Sequence, residues 1–131
     1  MNNYGQELKI STILVIDDNF LFLETLLELL ETQGFQVIGS QNGFLGLQLA
    51  QEQIPDVIIC DISMPELNGY QVLMKLRQNP VTAKIPLIFI TAKPIDHPQK
   101  VVQEMGANGY LIKPFSTTQL ILTIKAQLKA P

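Results

Sequence analysis

Short runs of Ile, Val and Leu recur along the chain at Ile13–Ile16, Val37–Ile38, Val57–Cys60, Leu87–Ile90 and Tyr110–Ile112, each closed by a polar or turn residue. Apolar runs of this length between turn signals predict strands. Between them the apolar positions change period. Leu21, Leu23, Leu26, Leu27 and Leu30 predict a first helix, Leu45, Leu47 and Leu49 a second, and Val72, Leu73 and Leu76 a third. Val101, Val102 and Met105 mark a fourth, and Leu120, Ile121, Ile124 and Leu128 a fifth. Gly34 is placed to cap the C-terminus of the first helix, and Pro80 to stop the third. Before the last helix, Ser116 and Gln119 fit a capping box, with Phe115 and Leu120 as its hydrophobic staple. Strands alternate with helices and are almost continuously hydrophobic, so they predict a parallel sheet covered on both faces by right-handed crossovers, a doubly wound α/β fold.

At 131 residues, 47% of them hydrophobic and 16% charged, the chain suits one domain with a substantial core. A formal charge of −3 leaves no basic surplus for direct binding of nucleic acid or an anionic membrane. The stretch 1–9 is polar and reads as a tail rather than a secretory signal, and no apolar run is long enough to span a bilayer, so a cytoplasmic location is expected. The lone Cys60 cannot form an internal disulfide and reads as a small core residue on a strand. Neither repeats nor a linker interrupt the pattern, and residues 93–98 form a loop. One domain over residues 10–129 is expected, with the last helix leaving no room for an output domain in this chain.

In open α/β sheets the working site lies beyond the carboxyl ends of the strands. Asp17 and Asp18 follow the first strand here, Asp61 the third, Thr91 ends the fourth and Lys113 ends the fifth. Taken singly, the acids are helix caps or turn residues, Thr91 a strand end and Lys113 solvated surface. Taken together they fall on one rim. Three converging carboxylates call for a hard divalent cation such as Mg²⁺, which leaves coordination positions for phosphate oxygens. One carboxylate can then attack a phosphoryl donor, while Thr91 donates a hydrogen bond and Lys113 supplies positive charge to the product.

These residues resemble the receiver domains of two-component response regulators, from Ile10 to Leu128. The resemblance rests on Leu14-Val-Ile-Asp-Asp18, on Asp61-Ile-Ser-Met-Pro65 followed by Asn68-Gly69, on Thr91-Ala92, and on Gly106-Ala-Asn-Gly-Tyr-Leu-Ile-Lys-Pro-Phe115. It implies a flavodoxin-like strand order 2-1-3-4-5. It further implies that Asp61 is the phosphoacceptor, that Asp18 binds Mg²⁺ directly and Asp17 mainly through water, and that the Ser63 backbone carbonyl is the remaining ligand. Thr91 and Lys113 correspond to the phosphate-sensing pair and Tyr110 to the aromatic switch. The Lys113–Pro114 peptide is expected to be cis. The implied partners are a histidine kinase or histidine phosphotransfer protein upstream, and downstream a protein target or second copy on the face of the fourth helix, fifth strand and fifth helix.

The departures spare the five central positions. Ser63 and Lys93 stand where the family varies and where side chains govern access of water or a phosphatase to the acyl phosphate. Val102 and Met105 are bulkier than the alanines common in the fourth helix. His97, with Asp96 as a candidate cap, reads as a solvated residue near that helix's start rather than a phosphotransfer group. A haloacid-dehalogenase-type phosphatase would need a second acid two residues after its nucleophile, where Ser63 stands. A flavin carrier would need a phosphate-cradling loop in place of Asp17-Asp18-Asn19. A receiver that signals by protein contact alone has no use for the complete set.

Overall fold

Alternate residues of the central strands feed two separate cores, and this decides the layering. In a computed structural model, which describes residues 9–128, the strands are β1 (Thr12–Ile16), β2 (Gln36–Ser40), β3 (Val57–Asp61), β4 (Leu87–Thr91) and β5 (Gly109–Ile112). The helices are α1 (Phe20–Thr32), α2 (Gly43–Gln53), α3 (Gly69–Gln78), α4 (Pro98–Met105) and α5 (Thr117–Leu128). All strand pairs are parallel, in the order β2-β1-β3-β4-β5.

On one face Ile13, Val15, Ile59 and Ile90 pack with Leu23, Leu26 and Leu30 of α1 and Leu120 and Ile124 of α5. On the other, Leu14, Ile16, Ile58 and Phe89 meet Ala50 of α2, Val72, Leu73 and Leu76 of α3 and Val101 of α4. Period-two alternation thus sends each strand's side chains to both layers. The doubly wound fold and strand order agree with the sequence reading, and Cys60 is wholly buried in the core.

Two helices differ in detail from their leucine pattern. In α2 the buried positions are Gly43, Gly46 and Ala50, while Leu45 is 41% exposed. The helix rides so close to β1 that a Cβ on Gly46 would collide with Ile16, so larger residues are displaced to its flanks. Leu21, on the outer face of α1, is 77% exposed.

The punctuation holds. Gly34 adopts φ 96°, its N–H donates to Glu31 O and that of Phe35 to Leu30 O, a Schellman closure of α1. Ser116 and Gln119 exchange side-chain-to-backbone bonds of 3.0 Å each. Asp96 does not cap α4. His97 occupies the N-cap position without a side-chain bond, and Pro98 begins the helix, where its missing N–H costs nothing. Residues 1–8, most of the expected tail, and Lys129, the expected last residue of the domain, lie outside the described residues.

Candidate functional site

The acids converge because the paired strands β1 and β3 end at one level, with Ile16 beside Cys60. Beyond Ile16, the Asp17 N–H still donates to Ser40 O at 3.0 Å, which extends the β1–β2 ladder by one rung and fixes the Asp17 backbone. Its carboxylate is wholly buried, accepting from the Asn19 N–H at 2.9 Å and from Lys113 Nζ at 3.0 Å. A buried charge persists only with partners of this kind. Asn19, not either aspartate, caps α1 by accepting the Phe22 N–H at 3.0 Å. Both acids are therefore left for the cleft.

Asp61 is the last residue of β3, one position earlier than a post-strand turn, and its side chain is only 10% exposed. The loop that follows is pressed against its backbone. A Cβ on Gly69 would collide with the Asp61 carbonyl oxygen, so only glycine fits where the Gly69 N–H donates to Ile62 O at 2.8 Å. A capping box between Asn68 and Gln71 then starts α3.

Asp17, Asp18 and Asp61 bring one carboxylate oxygen each to within 4.8 Å of one another. Lys113 Nζ stands 3.9 Å from Asp61 Oδ1, a longer contact than to Asp17. Burial, followed by repulsion from Asp17, pushes the Asp61 carboxyl up to about 6, with Asp18 adding to the rise and Lys113 and the Ile62 N–H opposing it. A carboxyl so perturbed gains most from a cation placed among its neighbours. Thr91 is buried at the end of β4 and its Oγ1 accepts the Lys93 N–H at 3.2 Å. Asp18, Ser63 and Lys93 are exposed. Together these residues line one cleft of about 380 Å³, so the structure unites all five residues of the predicted rim, plus Ser63.

Tyr110 is not in this cleft. It is 37% exposed and walls a separate hollow of about 260 Å³ with Pro98, Gln99, Val102 and Gln103. The Lys113–Pro114 peptide is cis. Burial raises the Cys60 thiol well above its ordinary range, and its Sγ donates to Asp61 O at 3.3 Å, which fits a core residue. Among the described residues no helix is long and apolar enough to cross a membrane.

The sequence reading missed Phe22, whose ring centroid lies 4.0 Å from Lys113 Nζ. Its position one turn past Asp17-Asp18 was the available signal. It also gave Gly69 no steric role, which only the three-dimensional approach to Asp61 reveals.

Comparison with known proteins agrees with this geometry. The family model for the response regulator receiver domain matches residues 13–125. Protein PilH of Pseudomonas aeruginosa is 38% identical over 116 residues, spanning 88% of this chain and 96% of PilH. The protein ycf29 of Pyropia yezoensis is 38% identical over 112 residues, 86% of this chain but only 50% of that longer protein. The solved structure of the chemotaxis protein CheY4 of Vibrio cholerae superposes with a TM-score of 0.84 at 25% identity, covering 90% of this chain and 98% of that one.

Proposed function

The chain belongs to the response regulator receiver domain family of two-component signalling, and we propose that it accepts a phosphoryl group on Asp61 in the presence of Mg²⁺ and reports it through Thr91 and Tyr110. The observation that carries this reading is the meeting, in one cleft, of three carboxylates within 4.8 Å with a lysine that reaches two of them and a buried threonine.

The donor set fits magnesium. Asp18, Asp61 and the Ser63 carbonyl would hold the ion, with Asp17 acting mainly through water, an all-oxygen environment of the kind a hard cation selects. Bound there, Mg²⁺ supplies neutralisation of the crowded acids and polarises the phosphoryl oxygens. An Asp61 carboxylate oxygen forms the new bond to phosphorus. The bond from phosphorus to the donor's leaving nitrogen or oxygen breaks, and the leaving group keeps the electron pair. Lys113 pairs with the added negative charge, and the Thr91 hydroxyl, whose oxygen accepts the Lys93 N–H, donates to a phosphoryl oxygen.

Drawing Thr91 toward the phosphate opens space for the half-exposed Tyr110 ring to move inward and so alters the surface of α4, β5 and α5. Tyr110, Ile112 and Leu122 are exposed there and suit a protein target or a second copy of the chain, with a histidine kinase or histidine phosphotransfer protein as donor. The domain acts on itself rather than on a released substrate. Ser63 and Lys93 at the rim set how long the acyl phosphate lasts.

Incubation with acetyl phosphate and Mg²⁺, followed by intact-mass spectrometry, tests the assignment. Wild type should gain one phosphoryl group and Asp61→Asn none; full labelling of Asp61→Asn would overturn it.

A further inference from the structure

The Lys113 ammonium lies 4.0 Å from the centroid of the Phe22 ring, in the first turn of α1. That ring meets Phe115 edge to face, with centroids 6.2 Å apart and planes at 90°. An ammonium carries three donors. Here Nζ reaches Asp17 at 3.0 Å, Asp61 Oδ1 lies at 3.9 Å, and the ring covers a further side of the cation.

The chemistry of that third neighbour matters. A further carboxylate in its place would add to the negative charge already beside the lysine, whereas an aliphatic side chain would offer the ammonium itself no attraction. An aromatic face attracts the cation through its quadrupole and adds no net charge. Phe115 braces the ring from the same turn that carries Lys113, and the Ser116–Gln119 capping box fixes that turn at the start of α5. The aromatic pair therefore joins the loop bearing Lys113 to the helix that follows Asp17 and Asp18.

We propose that Phe22 is a positioning residue for Lys113, its ring face holding the ammonium at the acidic cleft, ready for an incoming phosphoryl group, without adding a further negative charge beside it. The proposal rests on the reading of Asp61 as phosphoacceptor.

Three replacements separate the ring's electronic contribution from its bulk. Phe22→Leu removes the ring and keeps apolar volume, Phe22→Tyr keeps the ring, and pentafluorophenylalanine at position 22 keeps the shape but reverses the quadrupole. Each is titrated with beryllofluoride in the presence of Mg²⁺, with Mg²⁺ alone as control, and the ring-current shift of the Lys113 side-chain protons is followed by NMR. Phe22→Leu and the fluorinated ring should weaken beryllofluoride binding about three- to tenfold. Phe22→Tyr should bind as wild type does, Mg²⁺ affinity should hold throughout, and the Lys113 ring-current shift should vanish in Phe22→Leu. Equal beryllofluoride binding by wild type and the fluorinated protein, or a loss in Phe22→Tyr as large as in Phe22→Leu, would overturn the positioning role alone. Failure of wild type to bind beryllofluoride would overturn the phosphoacceptor reading, and the role given to the ring with it. Should Phe22→Leu fail to fold, the fluorinated protein decides.

Discussion

Removing the charge of Asp61 should make the metal-free domain more stable at neutral pH. Folding raises this carboxyl from 3.8 to about 6, first through burial and then through Asp17. With a side chain only 10% exposed, solvent screens little of that effect. The folded value exceeds the unfolded one, so the folded state holds the proton more tightly. Well below the unfolded value both states are protonated and no penalty exists; it grows as pH rises between the two values and is complete above the folded one. Roughly two units at 1.36 kcal/mol each make the ionised Asp61 cost about 3 kcal/mol at pH 7.5, falling to about 1 kcal/mol at pH 4.5. Asparagine has the same shape and does not titrate. Urea denaturation followed by circular dichroism, in chelator, should therefore place Asp61→Asn above wild type by about those amounts at the two pH values. Magnesium should narrow the gap at pH 7.5 by binding folded wild type. Equal stability of the two proteins at pH 7.5, or a gap that does not shrink on acidification, would refute the reasoning.

Lys113→Met should cost about 3 kcal/mol in urea unfolding, because it strands the wholly buried Asp17 without its cation; adding Asp17→Asn should recover most of the loss. Gly69→Ala should destabilise by about 2 kcal/mol and abolish beryllofluoride binding, since its Cβ can be housed only by moving the Asp61 carbonyl. Arg77 donates twice to Gly106 O, at 2.9 and 3.2 Å, and also to Ile85 O and Asn108 Oδ1. A lysine cannot reproduce that fork, so Arg77→Lys should cost about 2 kcal/mol, and hydrogen exchange should quicken at the Leu87 amide, which donates to the same Asn108 oxygen.

The parts legible in the sequence are those governed by one strand or one helix end. β1, β3 and β4 announce themselves because both faces are buried, and Asp17, Asp18, Asp61 and Thr91 follow because each sits where such a strand stops, whereas Lys113 follows the lightly buried β5. β2 is less visible. As an edge strand it is mostly half-exposed, and Gln36 and Gly39 break up its apolar run, so only Val37–Ile38 stands out of Gln36–Ser40. The seating of α2 on Gly43, Gly46 and Ala50 runs against the usual link between burial and hydrophobicity, since it depends on how near Ile16 comes. Phe22 fails to stand out for the same kind of reason. Its partner Lys113 is brought to it only when β5 joins the far edge of the sheet.

The same packing contrast divides the site into a rigid part and a yielding one. Asp17 directly follows β1 and Asp61 ends β3, strands whose residues are almost all buried, and α3 beside them is anchored by Val72, Leu73 and Leu76. Each such aliphatic side chain contributes about 2 kcal/mol. β5 buries only Leu111, and α4 only Val101. A shift of the acids would disturb the core on both faces, whereas a shift of Tyr110 and α4 disturbs little that is buried. Movement after phosphorylation should therefore follow the weaker side. On the proposed reading the acidic cleft should keep its shape on phosphorylation, and the response should fall on the lightly packed side formed by β5 and α4. Lys113, at the end of β5 and tied to Asp17, belongs to both parts, which is why a contact that fixes its ammonium bears on reception and response alike.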